Sequence, residues 1–558
     1  MRVADYITDF LYNNGIKTSF MLSGTGSVFL DDAFANYKGM SYVSARHESA
    51  AVMMAVGYYK LSQKPGVALV TTGPGGANAV GGVVEAWVDS VPTIIISGQV
   101  DSKFLDKDLR YFGVQGLNIL PIIKPITKFS KTITDPYSIQ YYLDKALYFA
   151  LEGRPGPVWL DIPFDIQSAE ISDHKSMRIF TRPSEDKNSE NEVSSKADLI
   201  LEKILKSSKP LFILGQGVQQ GFAVEDFKEI IEFFDIPFIT SRIAIDIFKN
   251  SFKNNLGLAG IKGSRYSKKI MDESDLVISL GCSMNSALTS ESETSESEMF
   301  FPNAELIMVN HDSSEFIKPS LRVDHKIHLD VKDILSSLIE KTKVIDKKQY
   351  TSWLNYCLSL KEKYPIVSPE LEGNPINSYF LVSRLSALSK ENQHFVSDAG
   401  SSYYVSGQAL EYKFNQRDIT SGAFATMGVA IPMAIGAACY DKNVQIIVVT
   451  GDGSLELNIQ ELKTVSQNNL NIKIFVINNG GYASIRDSQD AYSEGRYTES
   501  EDILDFSKVA NAFEMSYEII EDYNNLDKQI LNITSHSKPV LVEVVCERNQ
   551  KIFEPEKL

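Results

Sequence analysis

The chain has 558 residues and a formal net charge of −16 with no basic tract, which excludes nucleic acid as an expected partner. No apolar run reaches the roughly 18 residues needed to cross a bilayer, so we expect no membrane partner. The four cysteines are scattered without a CxxC pair, which predicts a cytoplasmic protein with no disulfide framework and no zinc site.

Short β-type runs alternate with helical patterns along the chain, which favours an α/β fold with buried parallel strands. The runs are GVALVTT, PTIIISG, PVWLDIP, PLFILG, DLVISLG, ELIMVN, QIIVVTG, IKIFVIN and PVLVEVV. Residues 172–196 have linker composition, and a second break lies near 342–375. We therefore predict three doubly wound parallel-sheet domains, at 1–170, 190–343 and 370–550.

Glu48 is a candidate site residue at the start of a helix predicted over ARHESAAVMMAVGYYKLSQ (45–63). An acid in the first turn of a helix is often only a partner of the helix dipole. A buried carboxyl in an active site can instead hold a proton near neutral pH. The residues alone leave both interpretations open.

Two glycine-rich turns follow predicted strands. GPGGAN, within 70–100, lacks the Lys-Ser/Thr ending of a P-loop, so we do not expect it to bind a nucleotide. ILGQGVQQGF (213–222) contains a GxGxxxG string, which by itself is a weak dinucleotide signal. Neither turn identifies a ligand from its spacing alone.

The most specific pattern lies within 449–482, where GDGS follows one predicted strand and NN follows the next, with a helix predicted over LNIQELKTVSQNN between them. Asp452 and Asn479 then lie at the carboxyl ends of strands in one sheet, the edge where open α/β sheets bind ligands. Carboxylate and amide oxygens suit Mg²⁺, which usually also binds phosphate. Gly451 and Gly453 let backbone N–H groups approach a phosphate, and Ser454 opens the following helix. Two turns without a ligand are the alternative.

A GDG followed roughly 25–30 residues later by NN resembles the thiamine diphosphate signature. RHE, the whole run 70–100 and EGRPGPVWLDIPFDIQ (152–167) resemble the acetolactate synthase family, and the resemblance covers nearly the full chain. It implies pyrimidine-binding, central and diphosphate-binding domains, in that order. It also implies that Asp452, Asn479 and the backbone carbonyl of Gly481 hold Mg²⁺, and that Glu48 is the catalytic acid that activates the aminopyrimidine of thiamine diphosphate.

The same resemblance implies further contacts with the cofactor. In TSGAFATMGVAIPMAIG (420–436), backbone groups of Ala425 and Met427 would bond to the pyrimidine, and Met427 would force the cofactor into its bent shape. Ordinary core filling is the alternative for a methionine. In VSDAGSS (396–402), the hydroxyls of two serines would donate to the diphosphate. The implied cofactor-binding set is Glu48, Gly75, Ser401, Ser402, Ala425, Met427, Gly453, Ser454, Asn479 and Gly481.

Five positions match residues near the family's substrates: Gly26, Gln115, Lys128, Tyr482 and Ser488. Gln115 and Lys128 could equally be solvated surface groups. Ser488 occupies the position at which biosynthetic acetolactate synthases carry a tryptophan. Serine in place of an indole would open a large volume for the acceptor. SGTGSVFLDDAF (23–34) and NNGGYASIR also look more like the thiamine carboligases found with sugar-nucleotide pathways.

The resemblance implies a carboligase that decarboxylates a 2-keto acid, pyruvate, and transfers a two-carbon acetyl unit to a carbonyl acceptor. The acceptor is either a larger carbonyl compound, such as a keto-sugar nucleotide, or a second pyruvate, as in acetolactate synthesis. An inactive thiamine diphosphate-binding regulatory protein is a third, remote alternative. The family further implies a homodimer or homotetramer with active sites between subunits.

Flavin is a separate question, because acetolactate synthases bind FAD in the central domain. The string at 213–222 resembles theirs, but GCSMNSALTSES (281–292) lacks the arginines that would meet the flavin's phosphates. LAGIKGSRYS (258–267) keeps a glycine-rich loop with Lys262 and Arg265. FAD therefore stays open, and we expect a colourless protein.

Overall fold

The computed structural model describes residues 1–105, 109–110, 113–183, 189–289, 301, 303–318, 321–498 and 503–555. Within these residues 17 strands form three sheets, and every strand pair in them is parallel. This confirms the predicted α/β class with three parallel-sheet domains. Of the helices that the structure describes, none has the length and apolar character that crossing a membrane requires.

The first domain is a six-stranded sheet with helices on both faces, and its central strands are buried. Its strands are β1 (Thr18–Met21), β2 (Ser41–Ser44), β3 (Gly66–Val70), β4 (Thr93–Gln99), β5 (Phe129–Thr132) and β6 (Val158–Pro163). Its helices are α1 (Val3–Asn13), α2 (Val28–Asn36), α3 (Glu48–Ser62), α4 (Pro74–Val88), α5 (Leu120–Ile123), α6 (Ile139–Leu151) and α7 (Phe164–Ser168). The strand order is β2-β1-β3-β4-β6-β5.

The central domain has a second six-stranded sheet. Its strands are β7 (Pro210–Leu214), β8 (Phe238–Thr240), β9 (Asn255–Leu258), β10 (Leu276–Leu280), β11 (Glu305–Val309) and β12 (His325–Ile327). Its helices are α8 (Glu190–Lys206), α9 (Gly217–Gln220), α10 (Val224–Phe234), α11 (Ser267–Glu273), α12 (Ser286–Thr289) and α13 (Val331–Thr342), with α14 (Thr351–Lys363) leading to the third domain. The order β12-β11-β10-β7-β8-β9 reverses direction between β7 and β10, as in doubly wound dinucleotide-binding sheets.

The third domain has a five-stranded sheet in the order β13-β14-β15-β17-β16. Its strands are β13 (Gln393–Ser397), β14 (Gln445–Gly451), β15 (Ile472–Asn478), β16 (Ser516–Ile520) and β17 (Val540–Val545). Its helices are α15 (Ser378–Leu388), α16 (Ser401–Ala409), α17 (Ala430–Tyr440), α18 (Asp452–Glu456), α19 (Glu461–Gln467), α20 (Ala483–Tyr492), α21 (Phe506–Ala512) and α22 (Leu526–Ser535). A parallel bridge between Phe395 and Asp418 extends this sheet beyond β13, so its order matches that of the first domain.

The helix predicted over LNIQELKTVSQNN (457–469) begins later than expected. Residues 457–460 form a turn between α18, which ends at Glu456, and α19, which begins at Glu461. Within this turn the Asn458 amide donates a hydrogen bond of 2.9 Å to the carbonyl oxygen of Gly428. This tertiary bond holds the chain in a turn at the point where helical periodicity alone predicts a helix. The predicted linker 172–196 contains residues 184–188, which lie outside the described residues, and α8 begins within it.

Helices α3 and α17 pack closely against each other and join the first domain to the third. A Cβ atom added to Gly57 would lie 2.2 Å from the carbonyl oxygen of Met433, and one added to Gly436 would lie 1.8 Å from that of Met54. Only glycine permits such close contact between the backbones. The pairing of Gly57 with Met433 and of Gly436 with Met54 shows that the two helices run antiparallel.

Candidate active site

The carboxylate of Asp452 binds the loops at the edge of the third sheet. Asp452 follows β14, is 3% exposed, and accepts hydrogen bonds from the backbone N–H groups of Gly453 at 2.7 Å, Gly481 at 2.9 Å and Asn479 at 3.1 Å. Burial raises the pKa of Asp452, and the backbone donors offset part of that rise. The loop after β15 is therefore folded over the carboxylate, as the adjacent strand ends predict.

The two asparagines of the NN pair have different environments. The Asn478 amide donates to Glu543 Oε1 at 2.7 Å, whereas the side chain of Asn479 makes no hydrogen bond to any residue in the described part of the chain. The Asn479 amide oxygen is therefore available as a ligand beside the Asp452 carboxylate. The Gly481 carbonyl accepts one bond, from Ala483 N–H at 2.9 Å, which leaves a second lone pair. These hard oxygen donors fit Mg²⁺.

No group of three or more His, Cys, Asp or Glu side chains that could hold a metal occurs among the described residues. The candidate metal site is compatible with this, because it offers one carboxylate, one amide and one backbone carbonyl. Mg²⁺ usually takes one or two carboxylates from a protein and completes its octahedron with phosphate and water. The donor set therefore favours a metal that arrives with a diphosphate.

The turn that precedes α18 leaves space for a phosphate on one side only. A Cβ atom added to Gly451 would meet nothing within 4 Å, whereas one added to Gly453 would lie 2.1 Å from the ring of Tyr482. Tyr482 therefore covers Gly453, whose N–H donates to the Asp452 carboxylate. The neighbouring Ser454 is buried, and its hydroxyl makes no hydrogen bond to a described residue.

The loop after β13 carries the two serines that were predicted to bind diphosphate. Gly400, at φ +67°, turns the chain into α16. The Ser402 hydroxyl is buried and donates to the carbonyl oxygen of Ala399 at 2.8 Å. The Ser401 hydroxyl, which is half-buried, has no such bond within the described residues. Of the two, Ser401 is the one whose hydroxyl proton is available to a ligand.

The loop 420–428 follows the bridge at Asp418 and contains Ala425 and Met427. Ala425 has φ +48°, a conformation rare for a residue other than glycine. Met427 is half-buried and precedes α17, so it does not fill the core as an ordinary methionine would. Asp398, which is 1% exposed, holds the end of this loop by accepting from Gly428 N–H at 2.8 Å.

Asp398 was not among the predicted site residues. It also accepts from the Thr450 hydroxyl at 3.1 Å and from Ala430 N–H at 3.4 Å, so it ties loop 420–428 to β14. Burial raises the pKa of Asp398 to about 6, and the donors around it oppose this rise. VSDAGSS contains the residue, but nothing in its spacing signals this role.

Glu48 is the first residue of α3 and is only 6% exposed. Its Oε2 accepts from the amide of Asn78 at 3.1 Å, and a Cβ atom added to Gly75 would lie 3.6 Å from its Oε1. Glu48 lies in the first turn of α3, where a helix dipole favours an acid. Its buried carboxyl, with the open space beside Gly75, also suits the activating role. Position alone is compatible with both interpretations.

Within one chain, Glu48 and loop 420–428 contact different parts of α4. Glu48 contacts Asn78, whereas Thr426 of the loop bonds to Glu85, seven residues further along that helix. Seven residues correspond to about 10 Å of helix. Within one chain, Glu48 therefore faces a different turn of α4 from the loop that would hold the pyrimidine.

Gly26 and Gln115 lie beside the turn that begins α4. A Cβ atom added to Gly26 would lie 1.9 Å from Thr72 Oγ1, and its carbonyl oxygen accepts from Gln167 at 2.7 Å. The carbonyl oxygen of Gln115 would lie 2.1 Å from a Cβ atom on Gly73, and the Gln115 side chain is exposed. The structure thus brings both predicted substrate residues to the turn that contains Gly75, next to Glu48.

Lys128 lies elsewhere. Its ammonium group donates to the carbonyl oxygen of Glu152, and its stem would be 3.1 Å from a Cβ atom on Gly156, next to Trp87 at the other end of α4. Burial lowers the pKa of Lys128 to about 8. In one chain it therefore does not join Glu48, Gly26 and Gln115.

Tyr482 and Ser488 belong to the segment that follows the metal loop. Ser488 is exposed on α20, and its hydroxyl donates to the carbonyl oxygen of Ser484 at 3.0 Å. Between them in sequence, Arg486 is buried and donates to the carbonyl oxygens of Gly480 at 2.8 Å and Asn479 at 3.0 Å. Sequence reasoning missed Arg486, because a lone arginine in a helix usually indicates a solvated face.

A cavity of about 1200 Å³ lies where the central domain meets the other two. Backbone packing shapes its floor, since a Cβ atom added to Gly215 would lie 2.1 Å from the carbonyl oxygen of Gly281. All the lysine and arginine side chains that line it in the described part of the chain are paired with acids: Arg154, Arg242, Lys262 and Lys332. Residues 290–292 of the segment expected to meet a flavin lie outside the described residues.

Comparison with known proteins places these features in one family. The N-terminal thiamine pyrophosphate binding domain of thiamine pyrophosphate enzymes matches residues 1–118, the central domain matches 197–338, and the C-terminal thiamine pyrophosphate binding domain matches 398–544. The resemblance noted in the sequence is thereby confirmed at the level of the family. The branch associated with sugar-nucleotide pathways stays a prediction.

The chain is similar to acetolactate synthase large subunits along most of its length. That of Lactococcus lactis is 29% identical over 97% of this chain and 91% of its own. Acetolactate synthase isozyme 1 large subunit of Escherichia coli is 28% identical over 99% and 95%, and the large subunit of Buchnera aphidicola subsp. Schizaphis graminum is 30% identical over 91% and 88%.

Proposed function

The chain belongs to the thiamine pyrophosphate enzyme family and is a thiamine diphosphate-dependent enzyme of acetolactate synthase type, and we propose that it decarboxylates pyruvate and transfers the two-carbon acetyl unit to a carbonyl acceptor. When bound, thiamine diphosphate supplies the electron sink for the decarboxylation. The arrangement of Asp452, Asn479 and Gly481 at one sheet edge carries this proposal.

Asp452, Asn479 and the carbonyl oxygen of Gly481 would hold Mg²⁺. The free amide of Asn479 supports this assignment, because its neighbour Asn478 is already engaged with Glu543. The open side of the turn at Gly451 would admit the diphosphate. The hydroxyls of Ser401 and Ser454 would donate to its oxygens.

Glu48 would hold the proton that the aminopyrimidine exchanges during activation. Its carboxyl is buried, and Asn78 fixes one oxygen, which leaves the other directed at the space beside Gly75. Ala425 and Met427 would contact the same ring through their backbones. A general acid in this position typically contributes about two to four orders of magnitude to the rate.

A second copy of the chain would complete each site. Glu48 faces one turn of α4 and loop 420–428 another, about 10 Å further along. Pairing the first domain of one subunit with the third domain of another removes this separation. Mixing an inactive Glu48→Gln variant with an inactive Asp452→Ala variant should then restore activity, since some mixed sites contain both intact residues. Failure to restore any activity after subunit exchange would contradict the proposal.

The acceptor we propose is a carbonyl compound larger than pyruvate, with a keto-sugar nucleotide as the chemical class. Ser488 is exposed on α20 and, among the residues that the structure describes, bonds only within that helix, so it adds no bulk near Tyr482. A small residue opens the pocket but contributes little binding energy. The acceptor must then bring its own polar groups, as a nucleoside diphosphate does.

Acetolactate synthesis, with pyruvate as both donor and acceptor, is the second candidate. It is favoured by the relatives, which are acetolactate synthase large subunits. A competition experiment separates the two: the enzyme receives pyruvate with and without a 4-keto-sugar nucleotide, and mass spectrometry identifies the products. Rapid formation of acetolactate alone, with tight saturation by pyruvate, would reject the larger acceptor.

We also propose that the central domain works without flavin. The ion pairs around the central cavity support this. Every lysine and arginine in the described part of its lining is paired with an acid, so none is free to bind the diphosphate of a flavin. The absorption spectrum of the purified protein tests it. A stoichiometric flavin spectrum would overturn the proposal without affecting the carboligase assignment.

A further inference from the structure

Loop 420–428 is held by buried carboxylates from two domains. Gly422 N–H donates to both oxygens of Asp89 at 3.0 Å, and the Thr426 hydroxyl donates to Glu85 Oε2 at 2.6 Å. Glu85 lies in the last turn of α4 in the first domain, and Asp89 directly follows that helix. Asp398 of the third domain holds the end of the loop. The segment that carries the two expected pyrimidine contacts is thus fixed on both sides.

The backbone of this loop requires such support. Ala425 lies in the left-handed region at φ +48°, and residues held in sparsely populated conformations persist only where the surroundings determine them. The loop also approaches the end of α4 very closely, since a Cβ atom added to Gly422 would lie 2.4 Å from Asp89 Oδ1. The bonds to Asp89 and Glu85 flank Ala425 and constrain its conformation.

Two carboxyl groups buried side by side cost more free energy than a purely structural contact requires. Glu85 is fully buried, Asp89 is 4% exposed, and the cation that faces them is Lys60 of α3, which pairs with Asp89 at 2.6 Å and also donates to Thr420. Burial, with the charge of Asp89, raises the pKa of Glu85 to about 7, while the Thr426 hydroxyl and Lys60 oppose the rise.

The partners of these acids point to their role. Among the described residues, the groups other than Lys60 that donate to Asp89 and Glu85 belong to the loop rather than to the first domain. Glu85 Oε1 is buried without a hydrogen bond among the described residues, so the Thr426 hydroxyl is the donor that holds this side chain. An ionised carboxylate accepts such a bond more strongly than a neutral one.

We propose that Glu85 and Asp89 are positioning residues that set loop 420–428 in its cofactor-binding conformation, so that the first domain controls the cofactor affinity of the third domain in the same chain. This inference rests on the proposed function, in which Ala425 and Met427 contact the pyrimidine. It assigns to the end of α4 a role separate from that of Glu48, which lies near the opposite end of this helix.

The first test compares Glu85→Gln and Thr426→Val with the wild type by calorimetry of thiamine diphosphate binding at saturating Mg²⁺. Thr426→Val keeps the shape of the side chain, removes only the hydroxyl and leaves the pair of Lys60 and Asp89 intact, so it should fold even where an acid variant does not. Both changes should raise the Kd roughly tenfold, the usual effect of losing a charge-assisted hydrogen bond. The near-ultraviolet circular dichroism of the bound cofactor should weaken in parallel.

Asp161→Asn is the matched control. Asp161 is an equally buried acid of the first domain, but its partners are Ser97, Gln99 and Thr132, far from the loop in the hydrogen-bond network. This variant should lose stability and keep wild-type cofactor affinity. A similar loss of affinity in Asp161→Asn would show that the effect is general destabilisation and would overturn the inference.

The pH dependence distinguishes positioning from a merely structural role. In the wild type, lowering the pH through about 7 protonates Glu85 and weakens its bond to Thr426, so cofactor affinity should fall. Glu85→Gln and Thr426→Val should both lack this component. If the wild type binds no thiamine diphosphate, the proposed function fails; if it binds and both variants match it at every pH, only the present inference fails.

Discussion

The guanidinium of Arg486 and the backbone carbonyl of Asn479 are joined by a 3.0 Å hydrogen bond, so α20 fixes the loop that carries the candidate metal ligands. Arg486 also donates to the carbonyl oxygen of Gly480 at 2.8 Å and to that of Arg548 at 2.8 Å. The loop after β15 is therefore held on one side by a buried cation and on the other by the Asp452 carboxylate.

Arg486→Lys should weaken Mg²⁺ binding, because a lysine ammonium cannot reproduce the fork that reaches several carbonyl oxygens at once. Loss of a group that orients metal ligands commonly costs roughly 10- to 100-fold in metal affinity. The measurement is the Mg²⁺ concentration that half-saturates thiamine diphosphate binding. Arg384→Lys, at a partly exposed pair with Asp527 in the same domain, is the control and should leave that concentration unchanged.

The two asparagines provide an internal comparison. Asn479→Ala removes the free amide and should abolish Mg²⁺-dependent cofactor binding, as should Asp452→Ala. Asn478→Ala removes only the bond to Glu543 and should cost about 1 kcal/mol of stability while cofactor binding remains. Calorimetry and thermal unfolding measure the two effects. Equal binding by Asn479→Ala and the wild type would contradict the metal assignment.

Glu48→Gln should slow turnover of pyruvate by about two to four orders of magnitude, because the amide keeps the shape of the side chain and cannot exchange the proton. Cofactor binding should change little. Stopped-flow or steady-state measurement of CO₂ release gives the rate. Turnover at the wild-type rate would leave Glu48 with only the helix-dipole role.

Stability should depend on pH through Glu85. Its pKa rises from 4.5 to about 7 in the folded chain, so the folded state binds this proton more tightly than the unfolded state does. The corresponding stabilisation is present below pH 4.5 and is lost as the pH rises from 4.5 to about 7. Glu85→Gln removes this component.

Thermal unfolding at about pH 5 and about pH 8 measures the effect of Glu85. The fall in Tm between these values should be smaller in Glu85→Gln than in the wild type. Buried Asp161 and Asp398, whose pKa values are also raised, remain in both proteins and cancel in the comparison. An unchanged difference between the two pH values would contradict the assignment.

Ser488→Trp should reduce transfer to a large acceptor while it spares or improves acetolactate formation, since an indole would fill the space that the serine leaves. One such contact commonly changes discrimination by about 1–3 kcal/mol, or roughly 10- to 200-fold. Product ratios from the competition experiment measure the change. Ser493→Trp, beyond the end of α20, is a control that should not alter them.

Hydrophobic runs and turn chemistry are enough to predict much of the fold. Nine β-type runs correspond to strands, and Asp452 and Asn479 lie at neighbouring strand ends as their positions predict. This works because a buried parallel strand needs a nearly continuous apolar run, and because turn residues must follow where it ends. Long motifs likewise identified the family.

Only the tertiary structure showed which groups hold the site in place. Asp398, Glu85 and Asp89 act through partners 30 to several hundred residues away, and Arg486 reaches the carbonyl oxygen of Arg548, 62 residues away, besides those of nearby Asn479 and Gly480. No local period records such long-range pairings. Asn478 and Asn479 are the same residue type and differ only in the groups that surround them. The sequence thus determined nine of the 17 described strands and the donors that end β14 and β15, because local periodicity encodes burial. Packing between the domains decided which polar groups are engaged and which stay free for a ligand, because buried polar groups must find partners wherever the fold brings them together.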